Sequence, residues 1–508
     1  MPRTGAFLLT AAGLLAQNAP HIRDWRPAAS EIRSRPRAAC SALHSLTGYE
    51  YSVIDAAPES GFCRVLIQVM PEIRIEVSLP AEWNRRLYMF GNGGFAGEKL
   101  DAPNRVASRN TALAAGFAVA QTNTGHDAER EPGASFAVDS QKLLDYSFRS
   151  LHVTAETAKR VAEAYYGERP RKSYYNGCST GGRQGLQFAQ RFPDDFDGIV
   201  AGAPALNGFA NRIRAIATAK AQGTAPIPTS KLNLLAARVY DRCDARDGLK
   251  DGLIDDPRNC DFKVSRDLPK CTDGDRPDCF TPAQAETVEA IYSPVVHNGK
   301  RLSPGFPAGA EIAGPNGKSG WDGWIVRDGE LSQSASMALS ALRFMVFPKP
   351  GPEYRIERFD FDKDLDPLQR VASLMSATDP DLSRFRARGG KLLMYFGWAD
   401  PALNPLLGIE YHDRVRAAMG GDTGDFFRLF LIPGMFHCSG GAGTGCFDVL
   451  QRIVPWVEEG KAPDSILASR LENGKTLRTR PLCPYPQVAR FKGSGSIDDA
   501  ANFRCVAP

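Results

Sequence analysis

Residues 173–189 read Ser-Tyr-Tyr-Asn-Gly-Cys-Ser-Thr-Gly-Gly-Arg-Gln-Gly-Leu-Gln-Phe-Ala, and the pentapeptide at 177–181 has the form G-x-S-x-G. The short aromatic run before it suits the end of a strand, and the run after it suits a helix. A serine on such a strand-to-helix turn has its hydroxyl exposed above the sheet. Gly177, Gly181 and Gly182 let the backbone turn tightly. The first amides of the following helix then face any negative charge that develops beside Ser179.

The flanking sequence supplies more elements of the same kind. Residues 64–77 carry apolar residues with strand character, and 86–90 form a short run that ends in Gly91-Asn-Gly-Gly-Phe-Ala-Gly97. Residues 116–121 and 197–202 read as further strands, and 151–166 carry the apolar spacing of a helix. Strands alternating with helices predict a mostly parallel sheet covered on both faces. From 206 to 381 the chain becomes rich in Pro, Gly, Asp and Cys, and clean strands are few. Buried-strand character returns at 391–397 and 426–432. The expected fold class is therefore α/β, an α/β-hydrolase core (20–205 and 382–508) interrupted by a large inserted lid domain (206–381). No internal repeat or low-complexity tract is present.

Bulk properties narrow the function. With 508 residues, 43% hydrophobic and 24% charged, the chain has a net charge of +4, close to neutral for its length. Neither a nucleic-acid partner nor a membrane surface is expected, and a small-molecule partner fits better; the sequence does not fix an oligomeric state. Residues 1–19, with one arginine and a short apolar stretch ending in small residues, read as a signal peptide; a buried apolar segment is the alternative. The 11 cysteines lack the C-x₂-C and histidine spacing of metal sites, so disulfides in a secreted or periplasmic protein are expected. Spacing alone leaves their connectivity open, and the odd number leaves one thiol over.

A serine hydroxyl needs an adjacent base, itself oriented by an acid, to act as a nucleophile. In this fold the chain order is serine, acid, histidine, the last two on loops after late strands. Of seven histidines (21, 44, 126, 152, 297, 412 and 437), only His437 sits on a glycine-rich loop directly after a strand near the C-terminus. Asp400, at the end of Leu393-Met-Tyr-Phe-Gly-Trp-Ala-Asp400, is the expected acid. The expected oxyanion donors are the N–H of Thr180 and that of Gly93 or Gly94. Cys178 precedes the candidate nucleophile and Cys438 follows the candidate base. A bond between them would fasten the serine turn to the histidine loop where positioning matters most.

The lid holds a second constellation, Cys243-Asp244-Ala-Arg-Asp247-Gly-Leu249-Lys-Asp251-Gly-Leu253-Ile-Asp-Asp-Pro-Arg-Asn-Cys260. Clustered aspartates on a tightly curved backbone offer hard oxygen ligands, which suits structural Ca²⁺. The spacing is not that of an EF-hand. A loop clipped by Cys243–Cys260 is the expectation, with a solvated acidic loop as the alternative.

The motifs Leu79-Pro-Ala-Glu-Trp-Asn84, Gly91-Asn-Gly-Gly-Phe-Ala-Gly97, Gly177-Cys-Ser-Thr-Gly-Gly182, Gly202-Ala-Pro-Ala205, Gly397-Trp-Ala-Asp400 and Gly434-Met-Phe-His-Cys438 resemble those of the tannase and feruloyl esterase family. The likeness runs from about Cys40 to Cys505. It implies a secreted serine esterase with a triad of Ser179, His437 and Asp400 and a Cys178–Cys438 disulfide. It also implies calcium held by the side chains of Asp244, Asp247 and Asp251 and the carbonyls of Leu249 and Leu253. The remaining bridges would be Cys40–Cys63, Cys243–Cys260, Cys271–Cys279 and Cys483–Cys505, leaving Cys446 over. Esters of aromatic acids are the implied substrates, feruloyl or hydroxycinnamoyl first, with galloyl esters or a terephthalate monoester as alternatives. Trp321, Trp324, Arg327 and Arg343 are candidates for the acyl pocket, and a buried arginine there would favour a free carboxylate on the substrate. From another class, a non-catalytic, calcium-stabilised protein binding phenolics or carbohydrate is the rival reading.

Overall fold

The computed structural model describes residues 25–28, 31, 33–311, 320–349 and 351–508. Residues 1–19, read above as a signal peptide, lie outside the described residues.

The core is a nine-stranded sheet in the order β1-β2-β3-β5-β4-β6-β7-β10-β11. Its strands are β1 (Tyr51–Glu59), β2 (Phe62–Val69), β3 (Ile73–Pro80), β4 (Arg86–Phe90), β5 (Ala118–Thr122), β6 (Lys172–Cys178), β7 (Gly198–Gly202), β10 (Lys391–Gly397) and β11 (Phe427–Ile432). From β5 to β11 every neighbour pair is parallel. β1, β2 and β3 are antiparallel additions at one edge. The stretch 64–77 is thus a hairpin, turned at Met70–Glu72, in which Val65 faces Val77 and Ile67 faces Ile75. These four side chains are fully buried, so cross-strand packing of β-branched residues fixes the register.

Helices cover both faces. The helix Ser150–Tyr166 buries Leu151, Thr154, Ala155, Ala158, Val161, Ala162 and Tyr165, a stripe at three- and four-residue spacing. The helices Pro103–Ala114 and Leu450–Glu459 pack on the opposite face, around Tyr88, Tyr174 and Leu393. Each fully buried aliphatic or aromatic side chain contributes about 1.5–3 kcal/mol.

Among the described residues none between Gly202 and Lys391 adds a strand to this sheet. That segment is mainly helical and has its own cores: one holds Leu235, Val239, Phe280, Ile291 and Trp321, another Ile213, Ile216, Leu342 and Phe359. Among its described residues the only strands are the small hairpin of β8 (Val295–His297) and β9 (Lys300–Ser303). The segment leaves and rejoins the core at one point, where the Ala377 N–H donates to Leu206 O at 2.8 Å. Beyond β11 the chain forms two more hairpins, β12 (Ile466–Glu472) with β13 (Lys475–Leu482) and β14 (Val488–Phe491) with β15 (Phe503–Val506).

Candidate active site

β6 ends at Cys178, and Ser179 follows at φ 63°, ψ −119°, ahead of the helix Thr180–Arg191. This left-handed backbone is held from both sides. The Ser179 N–H donates to Gly202 O at 3.0 Å, and Ser179 O accepts the Arg183 and Ala205 N–H groups. A Cβ on Gly182 would stand 2.2 Å from Gly202 O, and one on Gly177 2.6 Å from Gly181 O. Only glycine fits at those two positions.

The loop after β4 lies against this turn. Gln184 Oε1 accepts the Asn92 N–H, and Thr180 Oγ1 donates to Gly94 O at 2.6 Å. The Gly93 N–H is committed to Glu98 Oε1 at 2.8 Å. Of the two glycines proposed as oxyanion donors, Gly94 is therefore the one whose amide Glu98 does not take.

Asp400 follows β10 and is almost wholly buried. Its Oδ1 accepts the Ala402 and Leu403 N–H groups, both at 2.9 Å, while Oδ2 lies 2.8 Å from His437 Nδ1. A carboxylate fixed by two amides on one oxygen presents the other to the imidazole in one orientation. His437 stands on the loop after β11, with the Trp324 ring edge-on at 5.4 Å. Cys178 and Cys438 are disulfide-bonded with Cα atoms 6.0 Å apart, 260 positions apart in sequence. Ser179 and His437 line the same cavity, of about 590 Å³.

That cavity reaches under the lid, where Tyr146, Arg183, Arg212, Trp324, Met337 and Met375 form its wall. Of the four acyl-pocket candidates, the structure brings only Trp324 to it. Trp321 is sealed in the lid core. Arg327 is solvent-exposed and paired with Glu330. Arg343 donates to Tyr354 O, away from the cavity. Sequence reasoning missed Arg183 and Arg212. Arg183 donates to Tyr146 O, Ser147 O and Met375 O and lies over the Tyr146 ring at 4.9 Å. Arg212 Nη1 donates to Gly208 O, while Nη2 meets only the sulfurs of Met345 and Met375 at 3.9 Å. Burial, opposed only by the Tyr146 hydroxyl and reinforced by the like charge of Arg183, holds the Arg212 pKa below its ordinary value.

Four further disulfides join Cys40–Cys63, Cys243–Cys260, Cys271–Cys279 and Cys483–Cys505; Cys446 is in none of the five. In the acidic lid loop the Asp244 carboxylate accepts the N–H groups of Asp251 and Gly252, and Asp247 accepts that of Leu249. Asp255, which the sequence did not single out, is pushed up to about 8 by burial and by the charges of Asp247 and Asp251. Clustered aspartates on a curved backbone are the hard oxygen donors a dication takes, and in this loop Asp251 is paired with Arg478 and Arg480. Among the described residues, no three His, Cys, Asp or Glu side chains converge as ligands. No helix among the described residues is long and apolar enough to cross a membrane.

A family model for tannase and feruloyl esterase matches residues 59–506. The chain belongs to the tannase and feruloyl esterase family. The chain is 37% identical over 496 residues to the mono(2-hydroxyethyl) terephthalate hydrolase of Piscinibacter sakaiensis, a match covering 86% of this chain and 82% of that protein. A probable feruloyl esterase B-1 of Aspergillus oryzae is 32% identical over 479 residues, 88% of this chain and 84% of the relative. The crystal structure of feruloyl esterase B from Aspergillus oryzae superposes with a TM-score of 0.80 at 28% identity, over 92% of this chain and 100% of the other. Tannin acyl hydrolase from Aspergillus niger shares the fold, with a TM-score of 0.72 at 20% identity over 90% of each chain. This member of the tannase and feruloyl esterase family is thus a carboxylic ester hydrolase on an α/β-hydrolase fold.

Proposed function

We propose that the chain is an exported serine esterase that hydrolyses esters of aromatic acids, feruloyl or hydroxycinnamoyl esters first, through an acyl-enzyme. The observation that carries this reading is the joining of the Ser179 turn to the His437 loop by the Cys178–Cys438 disulfide, with Asp400 on the far ring nitrogen. Ser179 Oγ attacks the ester carbon as His437 Nε2 takes its proton. The tetrahedral oxyanion is met by the N–H groups of Thr180 and Gly94. Collapse breaks the bond to the alkoxy oxygen, which takes the proton from His437 and leaves as the alcohol. Water then repeats the sequence on the acyl-enzyme and releases the acid.

Calcium would be held by Asp244, Asp247 and Asp251 and the carbonyls of Leu249 and Leu253. It would supply charge neutralisation and rigidity to the lid, with no part in bond breaking. The five disulfides support export.

The half-buried Arg212, which no acid pairs with among the described residues, favours a second reading in which the acyl group carries a free carboxylate, as in a terephthalate monoester. Fluorophosphonate labelling of wild type and Ser179→Ala tests the mechanism: label on the wild type alone is expected, and label on both would refute it. Rates on methyl ferulate, methyl gallate and the terephthalate monoester then separate the substrates. A lead for the monoester that disappears in Arg212→Met would establish the second reading.

A further inference from the structure

The loop at 91–97 carries one of the two proposed oxyanion donors on a tightly curled backbone. Gly94, Ala96 and Gly97 all lie at positive φ. For Ala96, at 61°, that conformation persists only where its surroundings hold it. The Gly94 N–H belongs to the peptide joining Gly93 and Gly94, so its direction follows from how the groups on either side are fixed. Gly93 O accepts the Ala96 N–H at 2.7 Å. Gly94 O accepts Thr180 Oγ1 at 2.6 Å and Tyr146 Oη at 3.2 Å. The hold on the Gly93 N–H comes from Glu98 Oε1 at 2.8 Å.

Glu98 is itself aimed from the serine helix. Gln184, one turn after Thr180, accepts the Asn92 N–H on Oε1 at 3.1 Å and donates Nε2 to Asn92 Oδ1 at 3.2 Å. Asn92 Nδ2 then donates to Thr122 O at 2.9 Å and to Glu98 Oε2 at 2.8 Å. Both amides are buried, and turning either over would set donor against donor or acceptor against acceptor. The two Glu98 oxygens are thus each taken by an N–H donor, and Arg105 Nη1, 3.8 Å from Oε2, answers the charge. Only a carboxylate accepts on both sides. A glutamine here would turn its own NH₂ towards Asn92 or towards the Gly93 N–H. Glu98 lines the cavity that holds Ser179 and His437, yet no step of the reaction gives it a proton to carry.

We propose that Glu98 is a positioning residue for the reaction: through Asn92 and the Gly93 N–H it sets the Gly94 amide where the oxyanion forms. The proposal rests on the esterase reading above. An interaction that counts only in the transition state lowers kcat and leaves KM. On the methyl ester that the wild type cleaves best, Glu98→Gln should lose about ten- to a hundredfold in kcat, less than the loss of a whole oxyanion donor. KM should stay within about threefold. Phenylboronic acid mimics the tetrahedral intermediate, its boron bonding to Ser179 Oγ while the serine proton passes to His437. Its Ki should rise in Glu98→Gln by the same factor as kcat falls. A wild-type kcat, a loss carried by KM, or an unchanged boronate Ki overturns the proposal. Should Glu98→Gln not fold, the same split is read on Glu98→Asp, which keeps the charge but is a methylene too short to reach both groups. A wild type that cleaves no ester and takes no fluorophosphonate label fails the esterase reading instead.

Discussion

At Ser179 a non-glycine residue is held at positive φ, a conformation that costs about 1–3 kcal/mol and persists only where the surroundings fix it. Gly202 O, the first turn of the helix and the two crowded glycines fix it here. Another single residue carries a different strain. His126 is fully buried, its ring stacked 3.8 Å from Phe136. Burial lowers its pKa from 6.5 to about 4. The unfolded chain therefore takes a proton on this residue near pH 6.5 that the folded chain refuses until about pH 4. The stability it secures is complete above pH 6.5 and is lost as pH falls through that value, about 3 kcal/mol in all by pH 4. His126→Phe should flatten this part of a plot of unfolding free energy against pH. Two superimposable plots between pH 7 and 4 would contradict the assignment.

At the scale of elements, the Cys178–Cys438 bond couples the ends of β6 and β11, with β7 and β10 between them. It ties the turn that carries the Ser179 hydroxyl to the loop that carries the His437 imidazole, and in a catalytic pair a misplacement of 1 Å costs about a hundredfold in rate. The double variant Cys178→Ser, Cys438→Ser should lose about that much in kcat/KM. It should also lose roughly 4 kcal/mol of stability, because the loop it closes is long. Wild-type turnover in a folded double variant would refute the positioning role. The strand ends were legible in the sequence because turn signals follow buried apolar runs: glycine-rich loops after 86–90 and 426–432, and Asp400-Pro401 after 391–397. β1 was not, since its exposed Ile54 and its Asp55 and Pro58 break the apolar alternation of an edge strand. The turn inside 64–77 was missed because apolar residues continue on both sides of Pro71.

Across the whole molecule, the acidic lid loop meets the C-terminal hairpins. Arg480 on β13 pairs with Asp251, and Arg490 on β14 donates to Asp247 O. A calcium ion at Asp244, Asp247 and Asp251 would brace this junction between segments distant in sequence. Chelation with EDTA should lower Tm by several degrees, with recovery on adding Ca²⁺; an unchanged melting curve would remove calcium from the description. The cavity wall under the lid was the least legible part. Arg212 and Arg183 gain their meaning only when Met375 and Tyr146 pack beside them, and no local pattern announces such contacts. Trp321, chosen for its aromatic ring, went to the lid core because a large apolar surface is better buried than left facing a wet cleft.

The crossing of the chain at Leu206 and Ala377 makes the lid a cassette. Its two ends are already adjacent, so swapping residues 207–376 for a relative's segment, or for a short turn, imposes little closure entropy on the core. Ser179, Asp400 and His437 would stay on their strand ends, while Trp324, Met337 and Arg212 would go with the transplant. Substrate preference set by the lid could thus be exchanged wholesale, and the helix Pro103–Ala114 would remain behind with the core.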